Sequence, residues 1–311
     1  MLPNSTVRQL QFVIPSTGTA YAQYQNSLPS KPPVVSESIG HGAWLHWIGP
    51  KENKKVMYYL HGGGFVMPAS DGHFKMADWW RTEAKKRYNI DFSVAFLEYS
   101  LMNFEPWPAQ LVQAAAGLTH LLEQGYDPSN ITVVGDSAGG HATVFLLAHL
   151  LHPHPDAEPI TLEKPLAGAV SMSAWLSYSM DTTSFKRWGP KDVVAPLSGL
   201  KTWSKLFIDT RKRTDDPYYF EPAHAPATWW EGLDKVSKNV LLTAGDAEGM
   251  FDDIINTAKR MEEGAGKGDV KVASYVQEGV NHNEALVDFA CGDLPGSTNF
   301  RVLGWIKEVY A

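Results

Sequence analysis

A single cysteine, Cys291, is the whole thiol complement of this 311-residue chain, so no internal disulfide can staple the fold. Such a chain suits a reducing compartment, and a cytoplasmic location is the expectation. Long apolar runs are also missing. The stretch MLPNSTVRQLQFVIPSTG has no apolar core after a basic start, and no window reaches the roughly 18 uncharged apolar residues of a membrane helix. Neither a signal peptide nor a membrane span is therefore expected. Basic blocks are confined to KENKK (51–55) and RKR (211–213), and 27 Lys+Arg against 34 Asp+Glu leave a formal charge of −7. That balance argues against nucleic acid or an anionic membrane as the main partner. Internal repeats, low-complexity tracts and linkers are absent, which leaves one domain over residues 1–311. HExxH and clustered Cys/His spacings are lacking, and the prolines of HPHP (152–155) preclude a helical i, i+4 histidine pair. With no GxGxxG or GxxxxGK[ST] either, the chemistry is expected to need neither metal nor cofactor.

What is present is an alternation. Hydrophobic residues make up 44% of the chain, enough for a sizeable core. Short β-rich runs occur at 55–60, 92–99, 131–135, 166–173, 239–245 and 270–276. They are close to continuously apolar, as in strands buried on both faces. Helix-like stretches at about 73–88, 108–124, 138–151, 251–263 and 298–310 fall between or after them. Repeated βαβ units predict an α/β fold with a mostly parallel central sheet flanked by helices. Two segments break the rhythm: residues 1–40, rich in Pro and Ser, and about 175–230, rich in Trp, Tyr and Pro. They are expected to lie over the sheet as a cap.

In VVGDSAGGH (133–141) an apolar strand runs straight into a helical pattern, with Ser137 on the turn inside Gly135-Asp136-Ser137-Ala138-Gly139. Gly-x-Ser-x-Gly is a nucleophile elbow, whose small neighbours permit a sharp turn that lifts the hydroxyl above the sheet. A serine capping a helix would look similar. The helix N-terminus beginning there also favours negative charge. Serine at its ordinary pKa is a poor nucleophile, so the reading demands a base, an acid and an oxyanion site. After the run KVMYYL comes His61-Gly62-Gly63-Gly64-Phe65, where backbone N–H groups can approach a ligand without side chains in the way. With the N–H of Ala138 they are expected to form an oxyanion hole, each donor of which is typically worth about 2.7–4 kcal/mol.

HGGG upstream of GDSAG resembles the hormone-sensitive-lipase branch of the α/β-hydrolases, a likeness spanning most of residues 55–290. The resemblance implies the α/β-hydrolase fold, a helical cap, and oxyanion N–H groups on the second and third glycines, Gly63 and Gly64. The segment EYSLMNFEPWPAQLVQ (98–113) is similar to the family's stretch between the two motifs, but lacks its arginine after the tyrosine and its acid near Gln113. Those departures touch scaffold positions and suggest a divergent subgroup similar to fungal esterases.

In α/β-hydrolases the order is serine, acid, histidine. Of eleven histidines, His282 in EGVNHNEALVDF follows a strand and precedes a helical run, as the base should. His141, His149, His152 and His154 sit in or just after the helix that follows Ser137, facing away from it or lying at the surface; His224 falls in the cap. For the acid, LLTAGDAEGMFDDI (241–254) offers Asp246, Glu248, Asp252 and Asp253. Setting Met250 and Asp252 on the family's Leu-x-Asp positions favours Glu248, with Asp246 the alternative. Asp252 and Asp253 suit the N-terminal dipole of the next helix.

Eleven tryptophans are many, and several fall where a pocket is expected; Trp175, just past a strand end, and Trp203 are the candidates for substrate contact. Most of the others are expected to pack the cap onto the sheet. Together these features predict a serine carboxylic-ester hydrolase acting on a small or medium, apolar or bulky ester through an acyl-enzyme. The same residues would also serve an acyltransferase or amidase. A ligand-binding receptor on a hydrolase scaffold, as in the related gibberellin receptors, is the rival of another class; there the catalytic histidine is lost, whereas His282 is present here.

Overall fold

In the computed structural model, residues 6–194 and 197–311 are described. Eight strands form one sheet in the order β1-β2-β4-β3-β5-β6-β7-β8: β1 (Ser36–Ser38), β2 (Trp44–Ile48), β3 (Val56–Leu60), β4 (Ser93–Glu98), β5 (Ile131–Asp136), β6 (Gly168–Met172), β7 (Asn239–Gly245) and β8 (Lys271–Gln277). From β4 through β8 every pairing is parallel. The central strands β3 and β5 are buried along their whole length, as their mostly apolar runs lead one to expect. Successive residues feed opposite faces: Val56, Tyr58 and Leu60 join one core, Met57 and Tyr59 the other.

The first core is closed by α4 (Ala109–Glu123), α5 (Ala138–Leu151) and α9 (Phe251–Ala265), together with residues from the 175–230 segment. The second is closed by α2 (Thr17–Ser27), α3 (Asp71–Tyr88), α10 (Glu284–Cys291) and α11 (Ser297–Tyr310). The 175–230 segment itself folds into α6 (Thr183–Trp188), α7 (Leu197–Thr210), α8 (Pro217–Phe220) and short 3₁₀ turns. At the other end of the chain, α1 (Val7–Val13) precedes α2. Gln11 donates to the Val66 carbonyl at 2.6 Å, and Thr17 Oγ1 accepts from the Ala69 N–H at 3.0 Å, so the N-terminal segment grips the loop after β3.

Two strands escape the sequence reading. β2 pairs antiparallel with β4, and β1 pairs antiparallel with β2 at the edge of the sheet. Part of the 1–40 segment thus extends the sheet instead of lying over it. β1 is three polar residues, SES, the short polar build that blunts a sheet edge and leaves no alternation to detect. In β2 the buried His46 interrupts the apolar run, with Ser36 Oγ 2.8 Å from one ring nitrogen and Glu98 2.8 Å from the other.

Candidate active site

The end of β5 and the start of α5 meet at Ser137, whose φ of 52° and ψ of −117° lie outside both elements. So tight a turn forces the backbones together. A Cβ on Gly139 would sit 1.9 Å from the Leu60 carbonyl oxygen, which is why no side chain fits there. The strained serine is held from both sides: its N–H donates to Met172 at 2.8 Å, and its carbonyl accepts from Trp175 at 3.1 Å and His141 at 3.0 Å. Because the His141 bond to Ser137 is the first of α5, the helix itself offers the N–H of Ala138 no carbonyl.

From Ser137 a hydrogen-bonded chain runs inward. Ser137 Oγ lies 3.0 Å from His282 Nε2, and His282 Nδ1 lies 2.8 Å from Glu248 Oε2. Glu248 Oε1 in turn accepts from the Gly245 N–H at 3.0 Å. The acceptor-only carboxylate assigns the proton to Nδ1, which leaves Nε2 to accept from the hydroxyl. The other acid considered, Asp246, points elsewhere and accepts from the Gly279 N–H at 2.7 Å. Asp252 spans from the first turn of α9 to the Ser184 N–H of α6, 2.8 Å away. Burial raises Glu248 above the usual carboxylate range, and the hydrogen bond from His282 opposes it only in part. Burial alone would lower His282; the hydrogen bond and charge of Glu248, with Asp192 and Asp136 behind it, outweigh that and raise it.

Gly63 and Gly64 follow β3 with φ of 111° and 61°. The loop they form is tied to the elbow by Asp136, whose Oδ1 accepts from the Gly62 N–H at 3.0 Å and from Tyr59 at 2.7 Å. Asp136 Oδ2 accepts from the Asn283 amide at 2.7 Å, with His73 Nε2 at 3.4 Å. Burial would raise Asp136, but His73, Tyr59 and Asn283 together bring its pKa down to about 2. Trp203 and Trp175 both reach Gly64: a Cβ there would lie 2.8 Å from the first ring and 3.7 Å from the second. All four of Trp107, Trp175, Trp203 and Trp230 are buried in the first core.

Sequence reasoning missed Asp136, Asn283 and Asp192. Asp136 carried the one available signal, a carboxylate inside an otherwise apolar, fully buried strand end. The histidines in and just after α5 find partners other than Ser137. His149 and His154 are buried, not superficial. His141, His149 and His152 each donate Nε2–H to a backbone carbonyl, of Tyr219, Glu158 and Trp229, and His154 meets Asp216 at 3.1 Å. Three of the four, His141 in α5 and His152 and His154 just after it, pin this part of the chain to the 216–229 stretch, a use of long-range pairing that helical geometry alone does not disclose. Ser100 and Gln113, the two departures noted between the motifs, meet one another: Gln113 Oε1 accepts from the Ser100 N–H at 2.7 Å and its amide donates to Ser100 Oγ at 2.8 Å. One neutral pair thus occupies both positions.

Comparison with known proteins bears on the fold. The profile of the alpha/beta hydrolase fold family matches residues 57–286. The chain belongs to that family. It is 25% identical over 244 residues to an acetyl-hydrolase of Streptomyces hygroscopicus, covering 78% of this chain and 72% of the relative. An esterase of Acinetobacter venetianus is 24% identical over 229 residues, covering 74% and 67%. Among solved structures, an esterase from the bacterial hormone-sensitive lipase family superposes with a TM-score of 0.72 at 24% identity, covering 98% of this chain and 91% of that one. Among the described residues, no helix of this hydrolase-family chain is long and apolar enough to cross a membrane.

Proposed function

We propose that the chain is a serine carboxylic-ester hydrolase of the hormone-sensitive-lipase type, with Ser137 as nucleophile, His282 as base and Glu248 as the orienting acid. The unbroken chain from Ser137 Oγ to His282 at 3.0 Å and on to Glu248 at 2.8 Å carries the reading. His282 Nε2 takes the hydroxyl proton as Oγ attacks the ester carbonyl. The negative oxygen that forms is held by the N–H groups of Gly63, Gly64 and Ala138. His282 then passes the proton to the departing alcohol, and the same histidine activates a water to release the acyl group. Glu248 stays ionised throughout and holds the ring in the tautomer that accepts from serine. The reaction calls for neither metal nor cofactor.

The substrate is a small apolar ester, because two indole rings flank Gly64, beside the developing oxyanion. The cap is assigned to the helical parts of 1–40 and 175–230; residues 1–5, 195 and 196 of those spans lie outside the described residues. The likeness to fungal esterases rests on segment 98–113 alone, and a cytoplasmic location on the single cysteine. Fluorophosphonate labelling followed by peptide mapping tests the reading, together with turnover of p-nitrophenyl acetate by wild type and Ser137→Ala. A covalent adduct on Ser137 and loss of turnover in the variant are expected. No adduct with undiminished ligand binding would favour a receptor, and acceptor-dependent products would favour acyl transfer.

A further inference from the structure

Gly249, next to Glu248, and His282 are fixed by the same side chain. Asp192 Oδ2 accepts from the Gly249 N–H at 2.8 Å, and Asp192 Oδ1 accepts from the His282 N–H at 3.0 Å. The two loops it joins follow different strands, β7 and β8, and Asp192 comes from neither. It follows the 3₁₀ turn Gly189–Lys191 in the 175–230 segment, 57 residues before one partner and 90 before the other. The same segment grips Gly249 from its other side, where the Ser184 hydroxyl donates to the Gly249 carbonyl at 2.6 Å. A few residues on, α7 brings Trp203 against Gly64.

We infer that Asp192 is a positioning residue through which the 175–230 segment holds Glu248 and His282 in register with Ser137. The inference rests on the hydrolase reading above. The two loops carry the acid and the base, and the two oxygens of Asp192 let it accept from one backbone N–H of each loop along separate directions. A misplacement of about 1 Å at a reacting group costs on the order of 100-fold in rate, so a clamp shared by acid and base acts on turnover rather than on substrate affinity. Three carboxylates face the His282 ring and its loop, namely Glu248, Asp192 and Asp136, and each favours the protonated ring. Removing the charge of Asp192 therefore moves the histidine's titration to lower pH.

The test compares wild type, Ser137→Ala and Asp192→Asn on p-nitrophenyl acetate and by the rate at which fluorophosphonate labels Ser137. An asparagine keeps the shape but offers one acceptor oxygen to two N–H donors. In Asp192→Asn, kcat and the labelling rate are expected to fall about 10- to 100-fold with KM changed less than about threefold. The acid limb of kcat/KM shifts to lower pH. Unchanged kcat with an unmoved limb overturns the inference. Failure to label wild-type Ser137 overturns the hydrolase reading instead. Should Asp192→Asn not fold, amide hydrogen exchange in the wild type decides: slow exchange at both Gly249 and His282 supports the clamp, and fast exchange at either refutes it.

Discussion

Asp136 and Asn283 are 147 residues apart in sequence and hydrogen-bonded at 2.7 Å, which couples the residue before the serine to the residue after the histidine. The same carboxylate accepts from the N–H of Gly62, so three loops converge on one buried charge. Its pKa is brought down to about 2, against an ordinary value near 3.8. A group depressed on folding contributes stability that is present above its unfolded pKa and is lost as pH falls towards the folded one. About 1 kcal/mol of that contribution should be gone by pH 3. Urea unfolding of wild type and Asp136→Asn between pH 6 and pH 3 measures it. Wild type is expected to lead at neutral pH, and the gap should narrow below about pH 4. A gap that stays constant would exclude this role.

The two acids of the β7 loop make a sharper test. Glu248 Oε2 is 2.8 Å from the ring of His282, whereas Asp246 accepts from Gly279 at the loop's outer side. Glu248→Gln removes the charge that fixes the tautomer, and kcat should fall about 10³- to 10⁴-fold with folding intact. Asp246→Asn should stay within about twofold of wild type. Steady-state kinetics on one aryl ester settles both, and the opposite ranking would move the acid's role to Asp246.

Much of this architecture was legible beforehand, and the limits have physical causes. β5, Ser137 and α5 could be read because an apolar strand, a motif and a helical pattern are contiguous over about twenty residues. His282 could be singled out by its order along the chain and its place after β8, whereas the end of β7 left several acids open and only the resemblance to the family's pattern favoured Glu248 over Asp246. Asp192 could not be found that way, since its value lies in reaching two loops from a third segment that shows no periodicity. Ser100 and Gln113 looked like two separate losses until the fold placed them 2.8 Å apart. The edge strand β1 is too short and too polar to carry a pattern.

A pH profile follows from the environment of His282. The ring is buried, which alone would lower its pKa, but Glu248, Asp192 and Asp136 raise it above the usual histidine value. Only the neutral ring can accept the serine proton, so kcat/KM should rise with pH through a single ionisation whose midpoint lies above about 6.5. A plateau already reached at pH 6 would contradict that electrostatic balance.

Glycines give a pair of stability tests of opposite sign. A Cβ on Gly139 meets the Leu60 carbonyl oxygen at 1.9 Å, and neither backbone can retreat without parting β3 from α5. Gly139→Ala should therefore cost more than about 3 kcal/mol or prevent folding. Gly304 lies inside α11 with nothing within 4 Å of its added Cβ. Gly304→Ala should raise stability by about 0.5–1 kcal/mol, because alanine restricts the unfolded chain and suits the helix. Thermal melts of both variants check the contrast.

Trp203 tests how the site selects esters. Its ring sits against Gly64 from α7 and is only 7% exposed, so it occupies space that a longer acyl or alkoxy group would need. Truncation to alanine removes the wall while leaving Ser137, His282 and Glu248 untouched. In a hydrophobic pocket a difference of one methylene is worth about 10- to 200-fold. Trp203→Ala should accordingly raise the kcat/KM ratio of p-nitrophenyl hexanoate to p-nitrophenyl acetate by at least about tenfold. An unchanged ratio would mean that the acyl chain leaves Ser137 in another direction, with the indole serving only to seat α7 on the loop after β3.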